Sequence, residues 1–466
     1  MTEDQFLIYN SQQKPIRVKP ERMVFYRQAE IIEAVNESQE MYYLFFYNYH
    51  FLTAAKAKKL KRGSFIASAF KHGMVFHAPH PFINLLFSFN HSPIIRHFDT
   101  LMSTLKKRYT LPENAFILTF FESFVSKKRL FQEIKAMFYV YRRSGQTFQG
   151  YRIIRILMEF APEHRFVREM SDDKSFTPYP DRYNSYDNEI IQADSIFAER
   201  TYYAHRHDTS YYQPLITYLE SYSRWMDLLA LYSEQLAINP STALYQSFIS
   251  LAEHHLDTCQ IIQILEGLYY YILDFPPLTS DLLKRYADSQ RVEKTLILLN
   301  RLDMVPQDAP IDAIRKMLSH LDLTSHSLRV ELLHTLIQTV ARFCAEEEAR
   351  NIFHHILSVL LVTHEPEFIK SLLKPFMDNR SVHPFYVKMD RMETFSDDVE
   401  QMQPLGELYE EFDQLPKAME CFSWEMELNP YNPTPVKNVS NIYKKWGYEK
   451  EAKAYRELLK TMQKQS

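Results

Sequence analysis

A chain of 466 residues is long enough for roughly two to four ordinary domains or for one extended repeat array. It carries only 7 glycines, far below the usual share of about 7%, which argues against doubly wound folds, barrels and phosphate-cradling loops, all of which use glycine at tight turns. The net charge of -4 conceals an asymmetry: residues 51–150 hold 16 lysines and arginines against 4 aspartates and glutamates, so the remainder of the chain is acidic.

Residues 1–115 read as a basic, ring-rich helical region of less regular architecture, interrupted by the proline-broken run FHAPHPFINLLFSFNHSP. Within it Lys56, Lys58, Lys59, Lys61 and Arg62, in KAKKLKR, follow the aromatic run MYYLFFYNYHF; a further basic triplet stands at Lys106–Arg108, and another just beyond the region at Lys127–Arg129. Cations interleaved with rings suit a nucleic acid or an acidic protein. Solvated helix faces have the same composition, and so does a basic end that docks on the acidic remainder of the chain.

Residues 116–170 are expected to form helix hairpins, with Tyr141, Gly145, Gly150 and Pro162 as spaced markers. The run SDDKSFTPYPDRYNSYDNE opens a polar segment, 171–208, without apolar period, which reads as a loop or hinge. Residues 209–395 return to helical periodicity, as in Leu332, Leu333, Leu336, Ile337 and Val340. They contain two further hairpin markers: Tyr232 eight residues before Pro240 in LAINP, and Ala349 four residues before Phe353.

The clearest pattern lies in residues 396–466. Gly406, Tyr409, Ala418, Phe422 and Pro430 are followed, 34 residues on, by Ser440, Tyr443, Gly447 and Ala452 in the same frame. Small residues at Gly406 and Ala418 allow two helices to approach closely, Tyr409 and Phe422 fill the space beside them, and Pro430 ends the second helix. This spacing resembles tetratricopeptide repeats over residues 399–466, and the markers near 141 and 240 fall on the same frame. Glu425, where a small residue is usual, and Arg456, where a ring is usual, depart from it.

The resemblance implies an all-α, right-handed solenoid of helix hairpins whose first helices line a groove for a partner protein or peptide. Lys437 and Asn441 are four residues apart and share a helix face, with Lys444 following. In some tetratricopeptide proteins a Lys and an Asn so spaced grip the terminal carboxylate of a peptide, which marks these three as candidate partner-binding residues. The final helix, from Glu449, is followed by no obvious solvating helix, so its outer face is expected either to be polar enough to stand in water or to dock on a second copy.

No GxSxG, HExxH, P-loop or dinucleotide motif occurs, and His364-Glu365 lacks a second histidine, so neither catalysis nor a cofactor is expected. The 18 histidines include adjacent pairs, which do not share a helix face, and suggest no metal site. Cys259, Cys344 and Cys421 lie far apart, as in a reducing compartment. The start MTEDQFLIYN has no signal-peptide character, and the most apolar run, Ile352 to Thr363, is too short for a span of about 20 residues. The expectation is a cytoplasmic scaffold or adaptor that binds a protein or peptide. The alternatives are a nucleic-acid-associated factor using residues 51–150 and a regulatory subunit of an enzyme.

Overall fold

A computed structural model describes residues 5–57, 59–272, 274–302, 310–320 and 330–465. The chain divides into two compact units, Met1–Phe275 and Pro276–Ser466.

The first unit opens with strands, which corrects the expectation of a purely helical chain with helical residues 1–115. β1 (Phe6–Tyr9), β2 (Pro15–Tyr26), β3 (Ala29–Asn36), β4 (Met41–Tyr47) and β5 (His50–Lys56) form an antiparallel meander in chain order. β6 (Met74–His77) pairs with the second half of the long β2, beyond β1. These strands escape a search for alternation because they are enclosed: every residue from Ala29 to Ala34 is buried, and so is every residue from Tyr43 to Tyr47. Their turns also dispense with glycine, placing Arg27, Gln39, Asn48 and Tyr49 at positive φ. A low glycine count therefore did not exclude sheet in this chain.

The outer edge of β5 is covered rather than left open to pairing. The Phe51 amide donates to Asn90 Oδ1 (2.7 Å), Arg96 Nη1 donates to the Leu52 carbonyl (2.7 Å), and the Arg96 amide donates to Thr53 Oγ1 (2.9 Å). Short helices Phe65–His72, Pro81–Phe89, Phe98–Arg108 and Leu111–Thr119 follow, the last started by a reciprocal cap between Thr110 and Glu113.

From residue 127 onward every regular element among the described residues is a helix, and one turn recurs between them. A backbone amide reaches back to the carbonyl five residues earlier from Asp187 to Arg182, after Tyr186 (φ 53°) and between two short helices, and it does so in five longer hairpins: Gln146 to Tyr141, Arg224 to Leu219, Arg291 to Tyr286, Gln414 to Tyr409 and Tyr448 to Tyr443. In these five the residue just before each donor is left-handed: Gly145, Ser223, Gln290, Asp413 and Gly447, with φ from 54 to 80°. This is a helix C-terminus closed by a left-handed residue. Four residues after each of the five donors comes a buried residue at the interhelix contact, Gly150, Leu228, Thr295, Ala418 or Ala452. The hairpins so defined are Lys127–Arg143 with Thr147–Phe160, Thr209–Ser221 with Trp225–Ile238, Pro276–Asp288 with Val292–Arg301, Met402–Glu411 with Leu415–Leu428, and Pro433–Lys445 with Glu449–Gln465. The hairpin at 276–301 has Gln290 and Thr295 in place of small residues and carries no sequence marker. The helix Glu346–Thr363, which holds Ala349 and Phe353, follows an extended Ala345 and lacks this turn.

Gly406 shows what the spacing accomplishes. A Cβ built there would lie 2.6 Å from Cε1 of Phe422, a ring that is fully buried. The expected polar hinge at 171–208 instead contains helices Tyr179–Asn184, Asn188–Ala193 and Ser195–Ala204. It is pinned by the buried Tyr183, whose hydroxyl donates to Asp194 Oδ2 (2.8 Å), while Asp194 also pairs with Arg152 (3.2 Å). The core of the second unit runs from Ala287 to Ile442 and takes residues from each of its described hairpins.

Candidate functional site

The candidate partner-binding residues sit together on one helix. Pro433–Lys445 buries Val436, Val439 and Ile442 and exposes Lys437, Asn441 and Lys444. Ser440 faces the neighbouring helix and donates to the Ala452 carbonyl (2.9 Å), which fixes the helix's rotation and hence the exposed row. Lys445 is neutralised by Glu410 at 2.9 Å, whereas Lys437 and Lys444 have no ion pair among the described residues.

Glu425, the departure from the repeat pattern, is buried, and its Oε1 accepts from the side-chain amides of Asn429 (2.9 Å) and Asn432 (3.2 Å). It therefore ties down the LNPYNP connection, a role that a small residue could not fill. That connection and the helix before it present exposed apolar surface: Trp424 and Leu428, one turn apart, and Tyr431, which is 93% exposed. Sequence reasoning passed over these three because rings at helical spacing usually belong to a core.

The basic cluster is divided. Lys56 ends β5 and pairs with Glu40, Lys58 lies outside the described residues, and Lys59, Lys61 and Arg62 are exposed in the following loop. Lys61 Nζ donates to the Glu122 carbonyl (2.6 Å). The rings that precede the cluster are core: Tyr43, Phe45, Phe46, Tyr47 and Phe51 are all buried. Of the remaining rings of that run, Tyr42 and Tyr49 are half-buried and His50 is exposed.

The densest polar constellation was not anticipated. Two hairpin tips of the sheet, Arg27–Gln28 and Asn48–Tyr49, meet helices 195–204, 209–221 and 225–238. Arg224, 4% exposed, pairs with Glu199 and Asp227, each at 2.6 Å, and donates to the Arg27 carbonyl (2.6 Å). The Tyr49 hydroxyl donates to Asp227 Oδ2 (2.6 Å) and accepts the amides of Met226 (3.1 Å) and Asp227 (3.2 Å). Gln28 receives the Tyr47 hydroxyl (2.6 Å) and donates to Tyr218 (3.3 Å).

Glu30 adds a third carboxyl, accepting the Tyr49 amide through Oε2 (3.1 Å) while its buried Oε1 has no hydrogen-bond partner. Burial, reinforced by Asp227 and opposed by Arg224, holds the Glu30 carboxyl well above the usual carboxylate range. Burial also raises Glu199, against the pull of Arg224. The available sequence signal was an acid in an otherwise apolar helix start, WMDLLALY, and two in the strand AEIIEAVN. The constellation clasps sheet to helices through buried, mutually paired groups.

Among the described residues no group of three or more His, Cys, Asp or Glu side chains could hold a metal ion, and no helix is long and apolar enough to cross a membrane. No family model and no curated protein matches the chain. Two solved structures are similar at low superposition. One is described as the structure of Naa15/Naa10 bound to HypK-THB, with 11% identity and TM-score 0.20, covering 78% of this chain and 61% of that one. The other is the Chs5-Bch1 exomer cargo adaptor complex, with 11% identity and TM-score 0.15, covering 94% and 74%. The chain thus spans about 61% of the length of the first. At these scores the repeat character of the chain rests on its own recurring turns.

Proposed function

We propose that the protein is a non-catalytic, cytoplasmic scaffold or adaptor of tetratricopeptide type that holds a partner protein or peptide on its C-terminal hairpins. The supporting observation is the exposed row Lys437, Asn441 and Lys444, held in place by the Ser440–Ala452 contact, with no carboxylate among the described residues pairing with either lysine. Two cations and an amide in a row suit an acidic segment or a terminal carboxylate. Trp424, Leu428 and Tyr431 offer apolar anchors on the preceding hairpin.

The test is affinity capture from lysate of the source cells by the intact chain and by the full-length Lys437→Glu, Asn441→Ala, Lys444→Glu variant, at low and high salt. A protein retained by the intact chain and lost from the variant supports the reading. Equal retention by both refutes the assignment of this row.

A further inference from the structure

A second site of different chemistry lies in the first unit, where the Arg27 hairpin tip meets helices 65–72, 111–119, 147–160 and 195–204. A cavity of about 250 Å³ opens there. One part of its wall is aromatic: Phe116 and Phe160 are buried, and Phe65 stacks on Phe120 with ring centroids 4.3 Å apart. The other part is cationic, formed by Arg27, Arg200 and Lys127.

The charges do not balance. Arg27 and Arg200 share a single carboxylate, Glu159, with the Arg27 contact at 3.7 Å. Arg155, one turn before Glu159, lines the adjoining cavity with Arg200 and stacks on Tyr183 and Phe197 at 4.5 and 5.0 Å. Among the described residues it has no carboxylate within ion-pair distance. Two guanidinium groups thus share one acid, with the unpaired Arg155 in the adjoining cavity. Lys127 is held by Glu122 at 3.2 Å, with its ammonium 5.0 Å from the Phe160 ring centre. Burial, together with the charges of Arg27 and Arg155, lowers Arg200 to about 10, the expected response of a cation short of counter-charge. A folded chain keeps such an arrangement at a cost in stability unless an anion offsets it.

We propose that this cavity binds a small phosphomonoester, its phosphate held by Arg27, Arg200 and Lys127 and its ring or apolar body laid against Phe65, Phe116 and Phe160. Planar guanidinium forks match phosphate oxygens, and the lining cations Arg27, Arg200 and Lys127 outnumber the lining acids Glu122 and Glu159 by one, a surplus that an anion offsets. Glu159 competes with the ligand, so its removal strengthens binding. The volume admits a small molecule and not a folded segment.

The test is calorimetric titration of the full chain at fixed ionic strength with three probes: phenyl phosphate, inorganic phosphate and phenol. Phenyl phosphate is expected to bind more tightly than inorganic phosphate, and phenol not at all. Arg27→Asn keeps a residue that tolerates positive φ, and this variant and Arg200→Gln are each expected to weaken phenyl phosphate by about tenfold or more. Glu159→Gln is expected to tighten it, and Lys107→Gln, on an exposed helix face outside the cavity, to leave it unchanged. Should Arg200→Gln fail to fold, Arg27→Asn and Glu159→Gln still decide. The proposal is overturned if phenyl phosphate gives no binding heat, if it binds no better than inorganic phosphate, or if Arg27→Asn and Glu159→Gln bind it as the unaltered chain does.

Discussion

The hydroxyl of Tyr49 donates to Oδ2 of Asp227 across 2.6 Å, joining the tip of a β-hairpin to a helix 178 positions further along the chain. The same oxygen accepts two backbone amides at the start of that helix, so one phenol caps the helix and secures the sheet. Tyr49→Phe removes a bond to a charged group and leaves two amides without an acceptor. It is expected to lower the stability of the first unit by about 2–3 kcal/mol, as read from the urea midpoint of its unfolding transition.

Arg224 is the only cation among the buried groups of the clasp, facing Glu199, Asp227 and Glu30. Arg224→Met leaves those acids uncompensated and is expected to cost about 3–5 kcal/mol. A stability loss below about 1 kcal/mol in the same unfolding measurement would mean that the clasp contributes no more than a surface pair.

Glu30 makes a pH prediction with a definite sign. Its carboxyl in the folded chain titrates well above the ordinary value of 4.5, so the native state keeps the proton longer than the unfolded chain does. Stability is therefore lost as pH climbs from about 4.5 toward the folded value, at up to about 1.4 kcal/mol per unit, and is flat beyond it. Glu30→Gln abolishes that loss. The variant is expected to match the parent near pH 4 and to exceed it in melting temperature near pH 7; a constant difference across this range would rule the linkage out.

Gly406 and Asp413 lie seven residues apart and respond in opposite directions to changes in side chain. Gly406→Ala drives a methyl into the buried Phe422 ring and is expected to destabilise the second unit by about 1–3 kcal/mol, with partial recovery in the Gly406→Ala, Phe422→Leu double variant. Asp413 occupies the left-handed slot that Gly145 and Gly447 fill elsewhere. Asp413→Gly is expected to be stabilising by up to about 1 kcal/mol, and a loss of thermal stability would show that the aspartate has a local role outweighing its strain.

The sequence revealed the helices and the two C-terminal hairpins because Gly406, Ala418, Phe422 and Gly447 each answer a local steric demand. It concealed the sheet, since Glu30 and Glu33 sit in a strand whose first six residues are all buried, so that no alternation marks it. Turns at Arg27, Asn48 and Tyr49 omit the glycine that would have announced them. The hairpin at 276–301 was hidden for the same reason, with Gln290 standing where Gly145 and Gly447 stand in its counterparts. Lys437, Asn441 and Lys444 could be read as one exposed row because helical spacing alone decides it. The clasp could not, since Tyr49, Glu199, Arg224 and Asp227 are brought together only by folding.

The clasp also imposes an order on the birth of the molecule. Tyr49 leaves the ribosome 178 residues ahead of Asp227, an interval on the order of 10–40 s at ordinary rates of synthesis. Throughout it, two hairpin tips and a buried-to-be glutamate face water without the helices that complete them. The nascent sheet is thus an unfinished surface awaiting its own downstream chain, and a ribosome stalled before residue 227 would display an edge that recruits chaperones or proteases.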